Sequence, residues 1–191
     1  MRKIPLVVVA AHVLFVLFAG ASRAQEFGPA DEARDFGIAA RSDLRTAEHS
    51  APTPLTLPGG RTISTSALRE LIANSTADRR PLLIDVLGGP GHATIPDAVW
   101  LPDAGRGSTF KDVLQARLTQ TLQVLTGGER ARALVFFCQG PHCWLSYNAA
   151  LRGVKLGYPE VYWYRGGIEA WLAAGGTLIV PRISWERPPL P

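Results

Sequence analysis

Two cysteines, Cys138 and Cys143, are the only thiols in this 191-residue chain, and they lie five positions apart. The apolar run 133–137 before them predicts a buried strand, and a helical pattern begins near Leu145. A cysteine between a strand end and a helix start lies among loop N–H groups and near a helix dipole, which favour an anion. Because thiolate is the reactive form of cysteine, we expect a lowered pKa for the Cys138 thiol and a chemical role for it.

The roles of the residues around the cysteines are inferred from their types and from their positions between the predicted strand and helix. Glycine, proline and histidine follow Cys138, which favours an accessible sulfur. Cys143 is either a resolving thiol for Cys138 or an unpartnered thiol at the helix start. A bond between them would close only a short loop, so it would serve chemistry rather than stability. His142 is interpreted as a solvated loop residue that adds charge when protonated, and Trp144 either shapes the pocket rim or packs in the core.

Other cysteine chemistries require spacings that are absent here. A cysteine-dependent phosphatase needs arginine six positions after its cysteine, where this chain has Trp144 or Ala149. A c-type haem site needs histidine directly after the second cysteine, and a zinc site needs two further ligands. We therefore predict no metal and no cofactor.

The elements that must position these residues alternate between strand and helix patterns. This alternation, with strands that are apolar on both faces, predicts an α/β domain with a mostly parallel central sheet flanked by helices. Asp85 lies near the end of the first predicted strand and is expected to bind loop backbone or support the site, while His92 is expected to be exposed. Strands are predicted at 82–86, 99–101, 133–137 and 161–163, and helices from the cap candidates 64–66 to Ile72, over 110–125, over 145–156 and after Gly166 and Gly167.

The chain combines Cys138 after a strand with motifs at 83–86 and 95–98, Ala149 with Ala150, Gly157 with Tyr158, and 165–171. Together these motifs resemble a rhodanese domain, from Thr62 to about Gly176. The resemblance implies that Cys138 carries a persulfide, with sulfur taken from a donor such as thiosulfate and passed to a thiophilic acceptor. It also implies that the adjacent residues bind substrate and that Asp85 and Ser146 support the site. The substrate-binding residues would be Gln139, Gly140, Pro141, His142 and Trp144.

The chain departs from the family pattern at the end of the cysteine loop. Rhodanese loops often end in arginine or lysine, which steadies an anionic donor. Here the only arginine or lysine between Cys138 and Lys155 is Arg152, which lies inside the predicted helix. We therefore expect weak binding of thiosulfate.

Further motifs are Cys143 with Trp144, Ser146, 148–150, 161–164 and 100–102. These more closely resemble exported rhodanese-like proteins with a CxxCW motif, which are associated with pyrroloquinoline-quinone-dependent alcohol catabolism. Four residues separate the cysteines here, whereas the motif has two. This resemblance implies a periplasmic quinoprotein system as a partner.

The N-terminus has the pattern of a secretory signal peptide over 1–24. A basic start precedes the apolar run 4–20, and small residues allow cleavage after Ala24; the alternative is an uncleaved membrane anchor. Cleavage would lower the net charge from +4 to +1, so the basic pI does not indicate nucleic-acid binding. We therefore predict a periplasmic protein that does not bind the membrane after cleavage.

Three further segments complete the predicted organisation. Residues 25–61 form an extension, interpreted as a mobile or surface-wrapping arm, and 62–180 form the rhodanese-like domain. Residues 181–191 form a proline-rich tail. The leading functional hypothesis is an exported sulfurtransferase that uses a small sulfur donor or thiol acceptor. The alternatives are a dithiol redox or accessory protein of quinoprotein alcohol oxidation, and a catalytically silent binding module.

Overall fold

A computed structural model describes residues 29–89, 91–182 and Trp185. The predicted signal peptide over 1–24 lies outside the described residues, as does most of the predicted tail. Within the described part of the chain, no helix is both long enough and apolar enough to cross a membrane.

The core of the molecule is a five-stranded sheet in which every pair of neighbouring strands is parallel. Helices pack against it, which confirms the predicted α/β class. The sheet order is β1-β5-β4-β2-β3. The strands are β1 (Arg61–Thr62), β2 (Leu82–Asp85), β3 (Val99–Trp100), β4 (Leu134–Phe137) and β5 (Val161–Trp163), and the helices are α1 (Thr65–Ala73), α2 (Val113–Leu125), α3 (Trp144–Lys155) and α4 (Gly167–Ala173).

Alternate side chains of the central strands enter two separate apolar clusters. On β4, Leu134 and Phe136 pack in one cluster with residues of α2 and α3. Val135 and Phe137 point to the other face and pack with residues of α1 and α4. This alternation follows from the two-residue period of a strand and explains why β2 and β4 are apolar on both sides.

The register of the sheet brings the functional strand ends together. Asp85, the last residue of β2, is paired with Phe137, the last residue of β4, and Val86 N donates to Phe137 O at 2.9 Å. Cys138 follows at once. The carboxyl edge of the sheet, where ligands bind in open α/β folds, therefore holds both Asp85 and Cys138.

Capping residues fix the starts of two helices. Ser64 accepts from Ala67 N at the start of α1, and Asp112 accepts from Gln115 N at the start of α2. The second cap explains why α2 begins at Val113 rather than at residue 110, where the apolar pattern predicted its start.

The N-terminal segment, defined here as residues 31–61, runs across α3. Tyr147 donates its hydroxyl to Arg41 O at 2.7 Å, and Asn148 donates from its side-chain amide to Arg45 O at 2.8 Å. Leu44 and Leu57 of the segment are buried in the cluster that contains α3. These contacts make the segment part of the packed structure of the domain.

Candidate active site

The two cysteines form a disulfide at the carboxyl edge of the sheet. Cys138 follows β4, and Cys143 is the N-cap residue of α3. Their Cα atoms are 6.4 Å apart, and the residues between them form the cysteine loop, 138–143. Both sulfurs therefore lie at the N-terminal end of a 12-residue helix, where the dipole favours a negatively charged sulfur.

Helix α4 holds the first half of the cysteine loop. Ile168 N donates to Cys138 O and Glu169 N donates to Gln139 O, both at 3.0 Å. Gly167 lies between these contacts with a φ of 58°, and a Cβ at this position would overlap Cys138 O. Only glycine permits this close approach of α4 to the loop, which gives the second glycine of the Gly-Gly pair a structural role.

The N-terminal segment holds the second half of the cysteine loop. Ala51 N donates to His142 O at 2.9 Å, and Thr53 N donates to Pro141 O at 3.1 Å. Thr53 also donates its hydroxyl to Pro141 O at 2.6 Å. In a trans peptide the C=O and the following N–H point in opposite directions. These bonds therefore turn the N–H groups of the same loop peptides away from the N-terminal segment.

A buried arginine holds the N-terminal segment in place against the cysteine loop. Arg165 is 1% exposed and donates from Nε to Thr53 Oγ1 at 3.1 Å and from Nη2 to Thr53 O at 3.2 Å. Its Nη1 donates to Glu32 O at 2.6 Å. Arg165 lies two residues after the end of β5. It thus connects this edge of the sheet to the N-terminal segment. Through Thr53 it also connects the sheet to the cysteine loop.

Ser146 lies directly beside the disulfide. Its hydroxyl oxygen accepts from Trp163 Nε1 at 3.0 Å and lies 3.2 Å from Cys138 Sγ and 3.3 Å from Cys143 O. Because the oxygen accepts from Trp163, the hydroxyl proton can be directed towards the sulfur or the carbonyl. Ser146 therefore supplies a hydrogen-bond donor where charge would develop on Cys138.

The expectation of an accessible Cys138 sulfur is wrong for this disulfide-bonded structure. Cys138 is 1% exposed, whereas Cys143 is 9% exposed and lines a cavity of about 570 Å³. Cys138 is covered because the cysteine loop folds back over it. Helix α4 hydrogen-bonds one half of this loop, and the N-terminal segment hydrogen-bonds the other half. Cys143, at the start of α3, is the cysteine that lines the cavity.

Four of the predicted site residues line this cavity, and the others do not. Gln139, Gly140, His142 and Cys143 lie in its wall. Trp144 does not: it is buried, donates from Nε1 to Pro52 O at 2.9 Å and packs against a neighbouring tyrosine ring of α3. Pro141 is buried beneath the N-terminal segment, and Ser146 lies behind the disulfide.

Asp85 supports the loop that follows β2. It is fully buried and accepts from Leu87 N at 2.9 Å and from the Thr94 hydroxyl at 2.6 Å. His92 Nε2 lies 2.8 Å from Asp85 Oδ2, the same oxygen that accepts from Thr94. The prediction that His92 is exposed is therefore wrong: its side chain is 14% exposed and packs edge-on against Trp100. The cause is the buried carboxylate, which requires nearby hydrogen-bond donors.

The sequence analysis did not identify Arg106 as a site residue, because Arg106 lies in a different loop from the two cysteines. Arg106, in the loop after β3, lines the cavity and donates from Nε to Asp103 Oδ1 at 2.8 Å. Asp103 has a φ of 61°, and a Cβ on Gly88 would overlap its carboxylate. The cysteine loop contains no arginine or lysine. This absence was the one sequence signal that a cation for an anionic substrate would come from another segment.

Two further ionisable residues line the same cavity. His49, from the N-terminal segment, has a lowered pKa because of burial and the nearby charge of Arg106, which favours its neutral form. Burial raises the pKa of the Glu169 carboxyl, whose Oε1 accepts from Gln139 Nε2 at 3.1 Å. Among the described residues, no group of three or more His, Cys, Asp or Glu side chains is placed to hold a metal ion.

Comparison with solved structures finds distant similarities. The chain is similar to a thiosulfate sulfurtransferase from Pseudomonas aeruginosa, with 16% identity and a TM-score of 0.46 over 65% of this chain and 21% of that one. It is similar to an uncharacterized protein from Saccharomyces cerevisiae, with 18% identity and a TM-score of 0.41 over 60% of this chain and 92% of that one. A third is EanB, captured as a cysteine persulfide with ergothioneine, with 17% identity and a TM-score of 0.47. That match covers 73% of this chain and 36% of EanB.

No curated protein matches the chain. The family model described as the rhodanese-like domain matches residues 64–174. This range is more than half of the chain and contains β2 to β5, all four helices and the cysteine loop. The chain belongs to the rhodanese-like domain family.

Proposed function

We propose that this protein is an exported sulfurtransferase in which Cys138 carries sulfane sulfur as a persulfide and Cys143 is the resolving thiol. The observation that supports this most directly is the pairing of the two sulfurs at the N-terminal end of α3, beside a cavity. The Ser146 hydroxyl and the helix dipole would both stabilise a thiolate on Cys138.

The loading step needs the reduced form of the protein. The Cys138 thiolate attacks the outer sulfur of a sulfane donor such as thiosulfate. A sulfur–sulfur bond forms on Cys138, the bond within thiosulfate breaks, and sulfite leaves with the electron pair. The product is a persulfide on Cys138.

The resolving step uses the short distance between the cysteines. The Cys143 thiolate attacks the inner sulfur of the persulfide, on Cys138, and the outer sulfur leaves as hydrosulfide. The product is the disulfide seen in the structure. A thiol reductant must then restore both thiols before another cycle. Alternatively, an external thiol acceptor takes the outer sulfur directly and leaves Cys138 as a thiolate.

The test compares the two cysteine variants in a single turnover. Protein is reduced, freed from reductant and mixed with thiosulfate, and sulfite and sulfide are measured. We expect wild-type protein to release one equivalent of each and Cys138→Ser to release neither. Cys143→Ser should release sulfite but retain the sulfur. Sulfite release that survives in Cys138→Ser would refute the proposal.

The disulfide also supports a second candidate, a dithiol redox protein. In that function the pair exchanges two electrons with a partner, and no sulfur atom is carried. Loss of redox activity in both single-serine variants, without sulfite release by wild-type protein, would favour this candidate. If wild-type protein shows neither activity and partner binding survives both substitutions, a silent binding module is favoured.

Export and membership of the CxxCW subgroup complete the proposal. The signal-like pattern over 1–24 and the use of both cysteines in a disulfide support an oxidising compartment such as the periplasm. A quinoprotein alcohol-oxidation system would then be the physiological setting. Fractionation of cells expressing the full chain tests export, with the mass of the periplasmic product expected to correspond to cleavage after Ala24.

A further inference from the structure

We propose that the cavity beside Cys143 binds a small zwitterionic thiol, one with a carboxylate and an ammonium group, which opens the disulfide by attacking Cys143 Sγ. This inference rests on the proposed function, because it identifies the reductant class that returns Cys138 to its thiolate form. It also assigns the first contact with that reductant to Cys143 rather than to the sulfur-carrying cysteine.

Access determines which sulfur is attacked. An incoming thiolate must reach one sulfur of the disulfide, and the other sulfur departs with the electron pair. Cys143 lines the cavity, whereas Cys138 is 1% exposed and does not. The cavity therefore directs attack to Cys143.

The surroundings of Cys138 suit a leaving thiolate. Ser146 Oγ lies 3.2 Å from Cys138 Sγ and accepts from Trp163 Nε1. Its proton, which is donated to Cys143 O in the oxidised protein, can turn to the sulfur once a thiolate forms there. The N-terminal end of α3 adds a favourable dipole. A thiolate released from the disulfide is thus stabilised at Cys138, the position that the proposed sulfur transfer requires.

The charges in the cavity wall indicate the class of thiol. Arg106 presents a planar guanidinium whose Nε is oriented by Asp103. Its two Nη groups provide the paired donors that suit a carboxylate. Glu169 supplies a carboxylate elsewhere in the wall. A guanidinium and a separate carboxylate in one cavity favour a ligand with a negative group as well as a positive one.

The size of the cavity also favours an organic thiol. Its volume of about 570 Å³ lies in the range that holds organic ligands, and it is far larger than an inorganic sulfur anion requires. An amino-acid or short peptide thiol would place its carboxylate at Arg106 and its ammonium at Glu169. Its sulfur would then face Cys143.

The reaction balances with two thiols. The first thiolate bonds to Cys143 Sγ, the bond to Cys138 breaks, and Cys138 leaves as a thiolate. A second thiolate attacks the external sulfur of the mixed disulfide and releases Cys143 as a thiolate. The two thiols are oxidised to their disulfide, and the protein disulfide is reduced by two electrons.

The experiment measures opening of the disulfide by four thiols without any sulfur donor. The probes are L-cysteine, cysteamine, 3-mercaptopropionate and 2-mercaptoethanol, with rates divided by the thiolate concentration of each. Samples are quenched with acid, and the mixed disulfide is located by peptide mapping. We expect L-cysteine to react about tenfold faster than 2-mercaptoethanol, and the mixed disulfide to lie on Cys143.

A matched pair of variants tests the role of the guanidinium. Arg106→Gln should lower the ratio of the L-cysteine rate to the 2-mercaptoethanol rate about tenfold, while Arg79→Gln, on an exposed turn away from the cavity, should leave this ratio unchanged. A mixed disulfide on Cys138, equal rates for all four thiols, or an unchanged ratio in Arg106→Gln would each overturn the inference. Since no sulfur donor is present, failure of sulfur transfer leaves this readout intact.

Discussion

Replacement of Thr53 by valine should loosen the contact between the N-terminal segment and the cysteine loop. Valine has nearly the same shape as threonine but has no hydroxyl. The Thr53 hydroxyl donates to Pro141 O at 2.6 Å and accepts from Arg165 Nε at 3.1 Å. Both bonds are buried, so water cannot replace either of them.

The expected cost follows from what each partner retains. Pro141 O still accepts from Thr53 N, so loss of the hydroxyl bond there costs about 1 kcal/mol. Arg165 Nε is left as a buried donor on a charged group, which costs about 2 kcal/mol. We therefore expect Thr53→Val to lower the free energy of unfolding by about 3 kcal/mol.

Urea unfolding of the oxidised protein measures this loss. With a denaturant slope of about 2 kcal/mol/M, the midpoint should fall by about 1.5 M while the slope is unchanged. Thr56→Val is the matched control, because Thr56 is exposed on the same segment; its effect should stay within about 0.5 kcal/mol. A loss of less than about 0.5 kcal/mol in Thr53→Val would refute the view that this segment clamps the cysteine loop.

Three other substitutions test separate parts of the site and its support. Gly167→Ala should destabilise the oxidised protein by about 2 kcal/mol in urea unfolding, because its Cβ would overlap Cys138 O at a positive φ. Asp112→Asn should cost about 3 kcal/mol by removing the carboxylate partner of buried Arg152. Burial alone would raise the pKa of Asp112, but hydrogen bonds and the Arg152 charge lower it overall, so this contribution is present above the unfolded-state pKa and is lost as pH falls through the folded-state pKa. Ser146→Ala should slow disulfide opening by L-cysteine about tenfold in the acid-quench assay, because Cys138 loses its donor.

Each of these three expectations has a clear contrary result. Wild-type stability in Gly167→Ala would show that α4 can move away from the loop at little cost. A stability difference in Asp112→Asn that persists at acid pH would exclude the ion pair as its source. An unchanged opening rate in Ser146→Ala would remove the hydroxyl from the account of the leaving thiolate.

The parts of the fold with strong local patterns were predictable from the sequence. The apolar run at 133–137 was identified as a strand, and β4 spans Leu134–Phe137. By contrast, β1 is two exposed residues, Arg61–Thr62, paired in register with β5. Such a strand has no apolar alternation, and only its tertiary pairing defines it.

In the candidate site, too, the parts with a local sequence pattern were predictable and the parts set by tertiary contacts were not. The cysteine loop could be identified because strand, loop and helix signals are consecutive. His49 and Arg106 could not, since each enters the cavity from a distant segment whose local sequence is polar and irregular. The position of His92 was also misjudged, because it depends on the burial of Asp85 rather than on its own glycine-rich surroundings.

The most direct test of the account is the location of the sulfur atom in the Cys143→Ser variant. The reduced variant is mixed with thiosulfate, and intact-mass measurement is followed by peptide mapping under conditions that preserve persulfides. We expect a mass gain of one sulfur atom, carried by the peptide that contains Cys138. An unmodified Cys138 at full thiosulfate exposure would contradict it.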